Sequence, residues 1–138
     1  MSSVWRKFIM CGSVLSIAAL TISAKDPPPW SPTEVSVQEA ENGGYKFTNE
    51  LGVPFFTNDA DKSGKIGCGD ECIGITWLPV FARDFAKPQG DWSIVIRADK
   101  TTQWAYKGKP IYNYFASTDH DEIVAAAKED GHWHPLVP

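Results

Sequence analysis

The feature that most constrains this chain is a corner written twice. Gly52-x-Pro54-Phe55-Phe56 recurs 56 residues later as Gly108-x-Pro110-Ile111-Tyr112. An aromatic stretch precedes each copy, Tyr45 to Phe47 and Trp104 to Tyr106, with three residues of slippage. A turn glycine, a proline that fixes its own backbone angle and two bulky residues entering a strand build one local geometry in both places. Two related β units sharing a core follow from this, with the intervening segment as an insert.

Local patterns fill in the units. TEVSVQ, Thr33 to Gln38, alternates as a first strand, and YKFTNELGVPFF holds two strand-like pieces around a turn near Asn49 to Gly52. Asn58 to Gly74 is polar and glycine-punctuated, and is expected to be a loop. ITWLPVFARDFA, Ile75 to Ala86, suits a short helical turn around Leu78 to Phe85 or a packed loop. DWSIVIRAD is the clearest strand, with Trp92, Ile94 and Ile96 opposite Ser93, Val95 and Arg97. DHDEIVAAAKED predicts a helix capped by Asp119 or Asp121 and stopped by Gly131, before a closing strand in HWHPLV. The expected fold class is mainly β with a short C-terminal helix. It is a small antiparallel sheet or partly closed barrel built from two related β units, with a disulfide-closed loop between them.

The beginning of the chain sets the compartment. Arg6 and Lys7 precede a mostly apolar run from Phe8 to Ile22, followed by the small residues Ser23 and Ala24. That is the layout of a secretory signal peptide, and the run is shorter than the roughly 20 residues of a spanning helix. The expected organisation is a signal peptide at 1–24, a proline-rich tether at 25–32 and a single domain at 33–138, in the bacterial periplasm or secreted. An uncleaved anchor is the rival, and membrane contact is then confined to that segment. Removal of Arg6 and Lys7 takes the formal charge from -4 to -6, which disfavours nucleic acid as a partner.

Cys11 leaves with the signal, so the exported chain keeps Cys68 and Cys72 within GCGDECIG. An even pair in an oxidising compartment reads as a disulfide. Covalent haem attachment needs Cys-x-x-Cys-His, and here the spacing is wrong and Ile73 follows. A redox centre is disfavoured by Asp70 and Glu71, which oppose a thiolate.

Two metal patterns remain as candidates. Asp59, Asp61, Ser63 and Asp70 occupy places one, three, five and twelve of a calcium loop whose sixth place is Gly64. Asp70 is short for the last place and no helix is evident before Asp59, so a solvated Asx turn competes with a weak calcium site. His132-x-His134 on a strand puts two imidazoles on one face, where zinc or copper needs a further ligand such as His120. Packing of a C-terminal edge by Trp133 and Pro135 is the competing reading. Catalytic signatures are lacking: the sequence has no nucleophile elbow, phosphate-cradling glycine loop or HExxH.

Taken together, GVPFFTNDADKSGKIGCGDEC (Gly52 to Cys72), TWLP (Thr76 to Pro79), QWAYKGKPIYNY (Gln103 to Tyr114) and the closing GHWH resemble a bacterial exported family. This is the secreted repeat of unknown function, described as predicted lipoproteins with a Tyr-x-aromatic-x-x-Asp motif. The resemblance spans about Val35 to Val137. Its motif falls on Phe56 and Asp61 in the first copy and on Tyr112 and Tyr114 in the second. Phe56 stands in place of the tyrosine, Asn58 in place of the second aromatic, and Ser117 in place of the second aspartate, with Asp119 two residues late. The lipid-bearing cysteine of such proteins is missing, which favours soluble export. The family carries no established reaction or ligand. The resulting expectation is a non-enzymatic exported structural or binding accessory domain, with an envelope protein, surface polymer or small ligand as partner. The alternative is a metal-binding or redox-associated cell-envelope protein.

Overall fold

The computed structural model describes residues 12–14 and 26–138. The expected signal segment therefore lies outside the described residues, apart from Gly12, Ser13 and Val14. Among the described residues no helix is long and apolar enough to cross a membrane. The elements in chain order are β1 (Ser36–Glu39), β2 (Tyr45–Thr48), β3 (Phe56–Asn58), α1 (Asp70–Ile73), β4 (Trp77–Pro79), β5 (Trp92–Ile96), β6 (Thr102–Tyr106), β7 (Lys109–Pro110), β8 (Tyr112–Tyr114), α2 (His120–Asp130) and β9 (Trp133–Pro135).

The strands form three open antiparallel sheets, β1-β2, β4-β8-β3-β9 and β5-β6-β7. This corrects the expected fold class. Among the described residues the chain is a mixed α and β fold with two short helices, and no sheet is closed or barrel-like. The repeated corner explains why. Pro54 makes a single bridge back to Thr48, and Pro110 pairs once with Ala105. Pro110 lies at a non-hydrogen-bonded position, where no amide proton is needed, and after one further bond, from the Ile111 amide to the Trp104 carbonyl at 3.1 Å, the chain leaves the hairpin for a different sheet. Gly52 (φ 80°) and Gly108 (φ 79°) supply the left-handed turn residue in each copy.

The 56-residue offset recurs in the central sheet. Phe56 pairs with its own counterpart Tyr112. β9 lies on β3 through Phe56–Pro135, Thr57–His134 and Asn58–Trp133. β4 lies on β8 through Tyr112–Pro79, Asn113–Leu78 and Tyr114–Trp77, the same register shifted by one unit. The Leu136 amide donates to the Phe55 carbonyl at 2.8 Å, and the Val80 amide to the Ile111 carbonyl at 3.1 Å. An approximate twofold axis thus passes between Phe56 and Tyr112. Trp77 and Trp133, one from each edge strand, stack at 3.9 Å and 12°. The edge strands β4 and β9 end in Pro79 and Pro135, which blunts both edges against further pairing.

Alternation along β3 and β8 separates two cores. Phe55 and Ile111 join Val35, Phe47, Val80, Trp92, Trp104 and Tyr106. Phe56 and Tyr112 join Val53, Cys68, Trp77, Ile123, Ala127 and Trp133. The hairpins cover the first core, and α2 with the disulfide loop covers the second, giving three layers. Each fully buried Phe, Ile or Tyr side chain contributes about 1.5–3 kcal/mol of burial. In the proline-rich stretch, the Trp30 carbonyl accepts the Trp92 indole N–H at 3.2 Å.

The two units diverge beyond β3 and β8. Asp119 caps α2 by accepting the amides of Asp121 (2.9 Å) and Glu122 (3.0 Å), and Gly131 closes it at φ 78°. The corresponding segment of the first unit carries Gly64, Gly67, Gly69 and Gly74, a density that stops helix propagation. It yields the one-turn α1 within the expected loop. Ile75 to Ala86, expected as a helical turn or packed loop, contains no helix; Trp77–Pro79 forms strand β4 and the rest is loop.

Candidate functional site

Cys68 and Cys72 form a disulfide across one turn of chain. Their surroundings differ: Cys68 is fully buried in the second core, whereas Cys72 is exposed on α1.

Asp61 organises the loop leading into the disulfide. Its Oδ1 accepts the backbone amides of Gly67 and Cys68, each at 2.7 Å. Its Oδ2 accepts the Tyr112 hydroxyl at 2.6 Å. The first unit's aspartate thus meets the second unit's tyrosine across the twofold. At the counterpart position Phe56 has no hydroxyl, and Ser117 instead donates to Glu122 at 2.7 Å. Burial pushes the Tyr112 phenol above its usual pKa, and the hydrogen bond to Asp61 pushes the same way; Tyr112 therefore stays a proton donor. The loop comes so close upon itself that a Cβ on Gly67 would overlap the Ala60 carbonyl. It docks on the second unit through the Gly64 amide and Gly108 carbonyl at 2.9 Å.

Arg97 holds the disulfide from the other side. It is only 5% exposed, and donates to the Cys68 carbonyl at 3.0 Å and to Gln103 Oε1 at 2.8 Å. Gln103 Nε2 in turn donates to the Ile111 carbonyl at 2.8 Å. A buried guanidinium is costly unless its donors are satisfied, so this network fixes Cys68 by its carbonyl as Asp61 fixes it by its amide.

Asp59, His132 and His134 converge beside the disulfide. The antiparallel pairing of β9 on β3 brings His134 Nε2 to 2.7 Å from Asp59 Oδ1, with His132 Nδ1 3.7 Å from Oδ2. The His134 hydrogen bond holds the Asp59 carboxyl below the ordinary aspartate range, and the neighbouring histidine charges add to it. A cleft of about 570 Å³ opens here, lined by Asp59, Glu71, Cys72, Asp130, His132 and Trp133 among others. A second, of about 460 Å³, lies on the other side of Asp59 and includes Asp61, Lys107, Lys109 and His134.

These placements overturn the metal expectation, whether calcium or zinc and copper. Among the described residues no group of three or more His, Cys, Asp and Glu side chains is placed to hold a metal ion. Asp61 has turned its oxygens onto two amides and a hydroxyl, Asp59 is taken up by His134, Ser63 sits against Gly108, and Asp70 begins α1 on a different cleft. Asn58 forms an Asx turn, its Oδ1 accepting the Ala60 amide at 2.9 Å. His120 pairs with Asp121 at 3.7 Å and does not join the other histidines. Of the motif positions, Tyr114 is half-buried with its ring 4.9 Å from Trp77.

Arg97 and Gln103 are not singled out by sequence, and Trp133 only as packing of the C-terminal edge. A signal existed for each. Arg97 falls on the alternate face of a strand, Gln103 opens an aromatic run, and Trp77-x-Pro79 repeats as Trp133-x-Pro135 at the same 56-residue offset. No family model, curated protein or solved structure matches the chain. The chain is thus a small disulfide-bonded domain, with no metal-binding cluster among its described residues.

Proposed function

We propose that this is a redox-associated domain of the bacterial cell envelope, in which the Cys68–Cys72 disulfide sets the shape of the neighbouring cleft. The observation that carries this reading is the asymmetry of the bridge: Cys72 is exposed on a cleft, while Cys68 is buried and anchored at both its amide and its carbonyl. The acids Asp70 and Glu71 hold back a Cys72 thiolate. The pair is therefore a weak oxidant, opened only by a strongly reducing protein dithiol, which is oxidised in its place.

The resemblance to exported secreted repeats supports the compartment. In this reading the chain is a divergent two-repeat member, and the motif's tyrosine and aspartate serve each other, as Tyr112 serves Asp61. A second reading, an exported accessory domain for a small ligand, is favoured by the 460 Å³ cleft, which sets Lys107 and Lys109 beside Asp59, Asp61 and His134.

The test is reduction of the folded, oxidised protein by a thioredoxin-type dithiol. Two thiols should appear per chain, with a change in tryptophan fluorescence, before any loss of far-UV circular dichroism. A bridge that opens only when the domain unfolds would remove the redox reading.

A further inference from the structure

We propose that thiol–disulfide exchange enters this protein at Cys72 alone, and that the cleft selects a cationic thiol as the attacking partner. The inference rests on the redox reading above and names the partner's chemistry. Attack on a disulfide runs in line, along the sulfur–sulfur axis and away from the departing sulfur. A thiolate approaching from the cleft meets the exposed Cys72, and Cys68 departs. The opposite approach requires passage through the second core, where Cys68 is fully buried among Phe56, Tyr112, Ile123 and Trp133.

The step balances with a protein dithiol as reductant. The first thiolate forms a bond to Cys72 Sγ, the Cys68–Cys72 bond breaks, and the electron pair leaves on Cys68, which takes a proton. The partner's second thiolate then attacks its own sulfur in the mixed disulfide and releases Cys72. The partner is oxidised to a disulfide and this protein is reduced to a dithiol.

Charge sets the preference. Asp59, Glu71 and Asp130 line the cleft together with one imidazole, His132. Asp130 is held at the cleft wall, its Oδ1 accepting the His132 amide at 3.2 Å. For carboxylates on the order of 8 Å from an incoming charge in water at physiological salt, three together favour a monocation over a monoanion by roughly sevenfold in rate. An anionic tripeptide thiol is therefore a poor partner, and a dithiol protein with a basic rim around its attacking sulfur is a good one.

The experiment uses the folded, oxidised protein with three probes: cysteamine, 2-mercaptoethanol and 3-mercaptopropionate. Rates are expressed per thiolate and divided by those for an uncharged small disulfide. Adducts are located by alkylation and peptide mapping. The expected result is an adduct on Cys72 with Cys68 alkylated, and cysteamine faster than 3-mercaptopropionate by about sevenfold. That ratio should fall to about fourfold in Glu71→Gln and towards unity in 1 M salt. Adducts on Cys68, or equal rates for the two charged thiols, overturn the inference and leave the redox reading standing. Failure of all three thiols to open the folded protein ends both.

Discussion

Removing the Asp61 carboxylate should cost more than any other exchange of a partly exposed side chain in this domain. In Asp61→Ala three donors lose their acceptor. The Gly67 amide is exposed and turns to water at little cost. The Cys68 amide is partly buried and the Tyr112 hydroxyl belongs to a fully buried residue. Each stranded buried donor costs about 1–3 kcal/mol, so the expected loss is about 3–5 kcal/mol, a large share of the 5–15 kcal/mol typical of a domain. Asp61→Asn keeps one oxygen for the amides and offers an N–H to the tyrosine oxygen, and should lose about 1–2 kcal/mol. Tyr112→Phe removes one charge-assisted bond and should lose about 1.5–3 kcal/mol. The double variant Asp61→Ala/Tyr112→Phe strands no hydroxyl, so it should be more stable than the sum of the single losses implies, by about 1–2 kcal/mol. Urea unfolding of the oxidised proteins, followed by tryptophan fluorescence, measures all four. An Asp61→Ala loss below about 0.5 kcal/mol, or strict additivity with Tyr112→Phe, would refute the assigned role of this contact.

Other consequences are open to measurement. The disulfide closes only a short ring, so urea unfolding of the reduced protein should show a loss of about 2 kcal/mol. Tyr112 has its pKa raised in the folded state, so its contribution is complete below the unfolded tyrosine value and is lost as pH rises. Stability should fall above about pH 10, and more steeply in the natural protein than in Tyr112→Phe. Gly67→Ala drives a Cβ into the Ala60 carbonyl whereas Gly69→Ala meets nothing. Thermal melts should show the first losing several degrees, from about 2–4 kcal/mol of strain, and the second unchanged.

Short-range chemistry was the legible part of this fold. The pairing of Cys68 with Cys72, the β5 strand and the capped α2 helix follow from spacing, alternation and a capping aspartate. Strand β5 also shows the limit of alternation. Val95 and Arg97 are buried while Ile96 is 69% exposed, because the strand's far end faces the disulfide loop as well as the hairpin core. The fold class departs from the sequence expectation because a proline corner looks alike whether the chain returns to its own sheet or crosses to another. Long-range pairing decides, and it placed β3 between β8 and β9. The same pairing undid the metal reading. Spacing put Asp59, Asp61 and Ser63 in a ligand pattern, but it could not show that Tyr112, 51 residues away, would claim one Asp61 oxygen and His134 the Asp59 carboxylate. The Trp-x-Pro repeat was present in the sequence throughout, and its meaning lay in the stack of Trp77 on Trp133.

Amide hydrogen exchange at Gly67 and Cys68, compared between the oxidised and reduced folded protein, most directly tests the coupling of the disulfide to the loop that shapes the cleft. The account predicts protection of both amides when the bridge is closed and a marked loss when it is open, with Val80 and Leu136 in the central sheet protected in both states. Equal protection of Gly67 and Cys68 in the two states would contradict it.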